Sequence, residues 1–168
     1  MKTTAEHWIE RLQLHPHPEG GYYRETFVGS DMIKAEGLPI KYGGPRKTYT
    51  VIYYLLQNNQ VSHIHRLKSD EIFVFYDGCS LILHLIDESG RYRQEGLGHD
   101  ENEEISFHRV IKAGTWFGAA VSDAAGFSLV GCIVAPGFEF DDFELGKRQE
   151  LLARFPQHEE IIKKLTVA

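Results

Sequence analysis

Ser62-His63-Ile64-His65-Arg66-Leu67-Lys68-Ser69-Asp70-Glu71-Ile72-Phe73-Val74-Phe75-Tyr76-Asp77-Gly78 is the stretch whose reading decides the fold. β-Branched and aromatic residues crowd both sides of Lys68-Ser69-Asp70, so it reads as two strands, Val61 to Leu67 and Glu71 to Tyr76, joined by a tight turn. His63 and His65 stand two apart. Strand alternation therefore predicts both imidazoles on one face and Ile64 on the other. The turn brings Glu71 back at the start of the next strand, where its carboxylate can face the same cavity. Two imidazoles and a carboxylate are a metal-binding set, above all for iron or a similar ion with open positions. The same three residues serve equally well as hydrogen-bonded pocket lining without a tight metal.

Strand signals continue on either side. Tyr22 to Val28, Thr48 to Leu56, Leu81 to Ile86, Arg91 to Leu97, Ser106 to Ile111, Thr115 to Val121 and Phe127 to Val134 are rich in β-formers. Turns such as Asp77-Gly78, Glu88-Ser89-Gly90 and Asp123-Ala124-Ala125-Gly126 separate them. Short strands with frequent turns and no alternating helices predict a mostly β sandwich or barrel. A short helix opens the chain, capped by Thr3 or Thr4, with Trp8, Ile9 and Leu12 on one face. Lys147 to Phe155 and Gln157 to Leu165 read as two closing helices split by Pro156. Residues 29 to 47 carry Gly37, Pro39, Gly43, Gly44 and Pro45 and read as a long loop. The run Asp100-Glu101-Asn102-Glu103-Glu104 reads as solvated loop, and Asp141, Asp142 and Glu144 as an exposed strand edge or cap.

The bulk numbers bound the function. A chain of 168 residues suits one domain, 1–168, with a real core. A formal net charge of -6 argues against nucleic acid or an anionic membrane surface as partner. No apolar run approaches the roughly 20 residues of a membrane span, and the N-terminus has no signal-peptide core. Cys79 and Cys132 sit in apolar strand-like segments and read as small buried hydrophobes, so a cytoplasmic location is expected.

The central stretch resembles the first cupin motif, G-x5-H-x-H-x3-4-E-x6-G. His63, His65, Glu71 and Gly78 fall on it, with one extra residue before the glutamate and Gln57 in place of the leading glycine. The second motif, G-x5-P-x-G-x2-H-x3-N, is matched in part. Gly114 fits, but Lys112 replaces the proline, Phe117 the metal-binding histidine and Val121 the asparagine. Across the chain, His17-Pro18-Glu19-Gly20-Gly21-Tyr22-Tyr23-Arg24-Glu25-Thr26, Phe127-Ser128-Leu129-Val130-Gly131-Cys132 and Pro136-Gly137-Phe138-Glu139-Phe140-Asp141-Asp142-Phe143-Glu144-Leu145 resemble the cupin-like family often called cupin-5. The resemblance implies a double-stranded β-helix or jelly-roll barrel, a kinship with the RmlC-like cupins that include dTDP-sugar epimerases, and a homodimer. It implies no particular reaction.

Three readings of function stand side by side. One is an RmlC-like epimerase or isomerase on a sugar, nucleotide or nucleotide-sugar, with His63 or His65 as base, Glu71 or Asp70 orienting it, and a tyrosine as acid. Tyr22, Tyr23, Tyr53 and Tyr54 are the tyrosines in view. The second is a ligand-binding module without turnover. The third is a metal-dependent dioxygenase or isomerase with His63, His65 and Glu71 as ligands and the fourth ligand missing at Phe117. No cofactor is required by the first two; a divalent metal belongs to the third. Arg24 (whose guanidinium suits a phosphate), Glu25, Thr50, Phe73 and Trp116 are the candidates for touching the ligand. The two aromatic residues could stack on a ring or fill the core.

Overall fold

Thr4 caps the first helix, its Oγ1 accepting the His7 N–H at 3.3 Å, and Gln13 ends it in the left-handed region at φ 53°. The protein's structure, a computed structural model, describes residues 4–99 and 105–167. The acidic run 100–104 lies outside the described residues, as does Thr3. In chain order the elements are α1 (Ala5–Leu12), β1 (His15–Pro16), β2 (Tyr22–Val28), β3 (Met32–Ile33), β4 (Arg46–Lys47), β5 (Thr50–Gln57), β6 (Val61–Leu67), β7 (Asp70–Gly78) and β8 (Leu81–Ile86). Then follow β9 (Tyr92–Leu97), β10 (Ile105–Ser106), β11 (His108–Ile111), β12 (Trp116–Val121), β13 (Phe127–Ala135), β14 (Phe143–Leu145), α2 (Arg148–Arg154) and α3 (Glu159–Lys164).

The strands form two six-stranded sheets, in the orders β1-β2-β5-β13-β7-β11 and β10-β9-β8-β12-β6-β14. All pairs are antiparallel except β9 with β10. This is the mostly β sandwich the strand spacing predicts, in the jelly-roll form the family resemblance implies. Alternation along β5 shows how it is filled. Tyr54 and Leu56 point between the sheets and pack with Phe73, Leu83, Leu85, Phe117 and Val130. Leu55 points outward, under Ala5, Trp8, Ile9 and Leu12 of α1. On the opposite outer face, Ile64, Ile86 and Trp116 are covered by Leu151, Phe155, Ile162 and Leu165 of the C-terminal segment. Each helical segment thus buries an outer sheet face that water would otherwise wet. Truncating a wholly buried ring such as Phe117 to alanine should cost about 3–5 kcal/mol.

Two stretches differ from expectation. The loop 29–47 contains the β3–β4 pair and two 3₁₀ turns, Ala35–Gly37 and Ile40–Tyr42. Residues after Pro136 return to the second sheet as β14, pairing with β6. Asp142 is not an exposed edge. It is buried, accepting from Arg46 Nε at 2.6 Å and Nη2 at 2.7 Å, with Lys68 Nζ at 3.2 Å. Burial by itself would raise this carboxyl; the Arg46 and Lys68 hydrogen bonds outweigh it and hold it below the ordinary range. Arg46 and Lys68 thereby pin the segment 136–145 over one end of the sandwich.

Candidate functional site

Under that segment lies a cavity of about 240 Å³. Tyr23 and Glu25 reach it from β2, Thr50, Ile52 and Tyr54 from β5, His65 and Leu67 from β6, Glu71 from β7 and Cys132 from β13. His17 and Glu19 enter from the turn between β1 and β2, and Phe138, Phe140 and Phe143 roof it. The Thr50 hydroxyl accepts the Phe138 N–H at 3.0 Å, tying roof to wall.

The turn is built by its glycines. Gly20 has φ +106°, and a Cβ there would lie 2.2 Å from the Val61 carbonyl oxygen. Only glycine allows the turn to lie flat on β6. So seated, the Glu19 carbonyl accepts the His63 N–H at 2.7 Å, and the Glu19 side chain is driven inward. Its Oε1 accepts the Ser62 hydroxyl at 2.9 Å, and its Oε2 stands 3.2 Å from His65 Nε2 and 3.7 Å from His17 Nδ1.

The proton on this pair can be placed by elimination. His65 Nδ1 lies 2.8 Å from the His63 carbonyl, which can only accept, so Nδ1 carries a hydrogen. A neutral ring then has a bare Nε2 facing a carboxylate, two acceptors 3.2 Å apart. At this distance a proton can pass between His65 Nε2 and Glu19 Oε2. His17 Nδ1, by contrast, accepts the Glu19 backbone N–H at 3.2 Å, which places the hydrogen of a neutral ring on Nε2. Burial lowers the pKa of His17.

Glu71 is the second acid. It is only 7% exposed. Burial first, and the neighbouring Glu19 second, push its pKa up to about 8, against a smaller opposing hydrogen bond from the Cys132 thiol. It is therefore chiefly a neutral carboxylic acid at pH 7, with Oε2 buried and without a hydrogen-bond partner among the described residues. Burial also raises the Tyr54 hydroxyl and the Cys132 thiol well above their ordinary values, so both stay protonated. The Tyr54 hydroxyl donates to the Gly20 carbonyl at 2.8 Å and braces the turn.

Of the residues expected here, His65, Glu71, Glu25 and Thr50 line the cavity, and His63, Arg24, Phe73 and Trp116 do not. The simple alternation that put His63 beside His65 fails at a β-bulge. Phe117 pairs with His65 but Ala119 with Ser62, so β6 spends one residue more than β12 between these pairs. Ser62 and His65 consequently share the inner face, three apart, while His63 lines a surface depression with Leu145, Lys147 and Arg148. Arg24 alternates with Tyr23 and Glu25 and turns outward, its Nη1 3.4 Å from Gln13 Oε1. Phe73 is core, edge-on to Phe117 at 6.1 Å. Trp116 is on the outer face, beneath the C-terminal helices and the Arg66 guanidinium, 4.5 Å above its ring. His17, Glu19 and the three roof phenylalanines are the residues the motif did not find. For His17 and Glu19 the signal was the Gly20-Gly21 pair after His17-Pro18-Glu19, a turn that has to approach another backbone closely; for the phenylalanines it was their alternation with acidic residues after Pro136-Gly137.

A metal at the usual cupin position does not fit these residues. His63 faces away, the Phe117 ring centroid stands 4.1 Å from that of His65 where a fourth ligand would be, and Glu71 is a buried neutral acid. Among the described residues, no group of three or more His, Cys, Asp or Glu could hold a metal ion. Likewise no described helix is long and apolar enough to cross a membrane.

Comparison with known proteins agrees with the fold. The family described as Cupin_5: Cupin superfamily (DUF985) matches residues 6–146. Protein SO0799 from Shewanella oneidensis has a structure similar at TM-score 0.89, with 37% identity over 99% of each chain. A hypothetical protein from Leishmania major is similar at TM-score 0.88, with 39% identity over 99% of this chain and 100% of that one. The uncharacterized protein YML079W of Saccharomyces cerevisiae is 26% identical, over 89% of this chain and 79% of its own length. An oxalate decarboxylase shares the fold alone, with TM-score 0.54 and 18% identity over 92% of this chain and 38% of its own.

Proposed function

Since the chain belongs to the Cupin_5 (DUF985) family of the cupin superfamily, we propose that its cavity binds a small, single-ring ligand such as a sugar and moves a proton on it without a metal. The observation that carries this reading is the close approach of His65 Nε2 and Glu19 Oε2, 3.2 Å apart, in a cavity that also holds the buried carboxyl of Glu71, whose pKa burial pushes up to about 8. Isomerisation beside a carbonyl needs a base for the C–H proton and an acid for the oxygen or the opposite face. Glu19, oriented by Ser62 and His65, supplies the base. Glu71 supplies the acid, and Tyr23, packed edge-on to His17 at 4.5 Å, is the tyrosine that lines the same wall with its hydroxyl uncommitted to the turn. Two carboxyls in unlike surroundings, one bonded to Ser62 and beside His65 and the other buried without a partner for its Oε2 among the described residues, are a familiar arrangement for acid and base in one site.

Size and charge favour a single ring over a nucleotide-sugar. The cavity of about 240 Å³ is below the roughly 300–1,000 Å³ typical of drug-sized ligands, and no Lys or Arg lines it to meet a pyrophosphate. The test is solvent exchange. Unphosphorylated keto- and aldo-sugars are incubated with the protein in D2O, and deuterium entering the carbon beside the carbonyl is followed by proton NMR. Exchange that disappears in Glu19→Gln and Glu71→Gln supports the reading. A sugar that binds by thermal shift yet never gains deuterium would transfer the cavity to the non-catalytic binding module.

A further inference from the structure

The charge inventory of the cavity is one-sided. Three carboxyls line it, Glu19, Glu25 and Glu71, against two histidines and no Lys or Arg. His17 is held neutral by burial, and His65 is committed to Glu19. None of the neighbouring basic side chains lines the cavity, and Lys41 lies over the Tyr42 ring at 5.2 Å. Arg46 and Lys68 bind Asp142, Arg66 Nη2 binds Glu144 at 2.7 Å, and Lys47 Nζ turns to the Ser30 carbonyl at 3.4 Å. An anionic ligand would meet carboxyls and no compensating cation.

The roof has a geometry of its own. The rings of Phe138 and Phe140 cross at 79° with centroids 5.1 Å apart, Phe140 and Phe143 at 77° and 6.5 Å, and Phe138 and Phe143 at 66° and 6.3 Å. Three rings set nearly at right angles make a corner, and all three line the cavity. Phe140 is 60% exposed, so the roof is open to an incoming ligand rather than packed solid. Aromatic faces carry negative electrostatic potential, and boxes of such faces with a carboxylate nearby recognise ammonium groups. Below the roof, Glu71 Oε2 is buried and has no hydrogen-bond partner among the described residues.

We propose that this cavity selects a ligand bearing an organic ammonium group, seated in the Phe138–Phe140–Phe143 corner, with Glu25 as its counter-charge and Glu71 Oε2 as its hydrogen-bond partner. The inference rests on the cavity being the ligand site argued above, and it names the ligand's charge class. Glu25 is exposed at the edge of β2 and has no charged partner among the described residues, so it is free to do this.

The experiment compares three molecules of one shape, by NMR titration of the intact protein. Choline carries the cation, 3,3-dimethylbutan-1-ol is its uncharged isostere, and 3,3-dimethylbutanoate carries the opposite charge. Choline is expected to bind saturably and about tenfold more tightly than the alcohol, with no saturable binding of the carboxylate. Phe140→Leu keeps the apolar surface and loses the ring, and Glu25→Gln removes the charge. Both sites are exposed, so both variants should fold, as far-UV circular dichroism will show. Each is expected to weaken choline several-fold and leave the alcohol unchanged. Equal affinity for choline and the alcohol, saturable binding of the carboxylate, or no choline binding at tens of millimolar would overturn the proposal. Choline selectivity without deuterium exchange on any sugar defeats the acid–base reading and keeps this one; exchange on a neutral sugar with no choline binding does the reverse.

Discussion

Replacing Glu71 by glutamine should flatten the alkaline side of the protein's stability profile. Burial and the nearby Glu19 raise its pKa from 4.5 to about 8, so the folded protein keeps a proton that the unfolded chain releases across that interval. The stabilisation is fully present below pH 4.5 and is lost as pH rises through 8. At about 1.4 kcal/mol per pH unit, the interval amounts to something on the order of 5 kcal/mol. Part of this loss is hidden. His84 is buried with Nδ1 2.8 Å from the Tyr92 hydroxyl, and burial lowers its pKa from 6.5 to about 4. Its contribution is present above 6.5 and disappears as pH falls through 4, so between 4.5 and 6.5 it gains what Glu71 loses. His17, also lowered, acts in the same direction as His84. From pH 6.5 to 8 Glu71 acts nearly alone, and the expected fall is about 2 kcal/mol. Urea unfolding followed by circular dichroism at intervals from below pH 4.5 to pH 9 measures it. Glu71→Gln, neutral in both states, should match the wild type below pH 4.5 and, because His84 and His17 are common to both proteins, exceed it by something on the order of 5 kcal/mol at pH 9. A wild-type profile that is level above 6.5, or a variant that declines in parallel with it, would refute the assignment of Glu71 as a buried neutral acid.

Three further outcomes are expected. Arg46→Met leaves the buried Asp142 with only the half-exposed Lys68; a loss of about 3 kcal/mol in denaturant stability and faster amide exchange through 138–143 should follow, and a loss under about 1 kcal/mol would mean that the pair does not pin the roof. Protein purified without chelator should carry substoichiometric zinc, iron and manganese by elemental analysis; near-stoichiometric metal that disappears in His65→Ala would restore the metal reading. The chain should form a homodimer, because β1 covers only the start of β2 and leaves its later half as an open edge with Phe27 68% exposed. Light scattering should give a dimer for the wild type and a monomer for Phe27→Glu, and a monomeric wild type at micromolar concentration would sink this.

The fold was legible because it rests on features that sequence displays directly. β6 and β8 fall at the residues their β-formers predict, and the inner and outer positions of β5 follow from its alternation. The site was legible only where a residue's side depends on its own strand. Glu25 and Thr50 are such residues. His63 is not, because its direction depends on a bulge defined by pairing with β12, and nothing in Val61 to Leu67 announces the register shift. Glu19 acquires its role only when a turn folds back across more than forty residues onto Ser62, a contact with no local signature beyond two adjacent glycines. Asp142 misled for a related reason. An acidic cluster ordinarily faces water, and only the placement of Arg46 makes burial of this member tolerable.

The bulge and Phe117 belong to one argument. By turning His63 out, the bulge removes one ligand of the usual cupin set; by carrying a ring, position 117 removes another. What remains is one imidazole with its Nδ1 fixed by the His63 carbonyl, so that same bulged residue still decides which nitrogen of His65 is available. A carboxylate arriving at that nitrogen has either to share a proton or to leave an unpaired charge in an apolar enclosure, and the latter is far more costly. Phe117, packed on His65 at 4.1 Å, and Phe143, at 5.2 Å, deepen that enclosure. The same low polarity keeps Glu71 protonated. On the acid–base reading proposed above, two departures from the motif thus convert a set of residues suited to a Lewis acid into one suited to Brønsted chemistry, with His65 beside Glu19 and the buried acid Glu71 across the cavity.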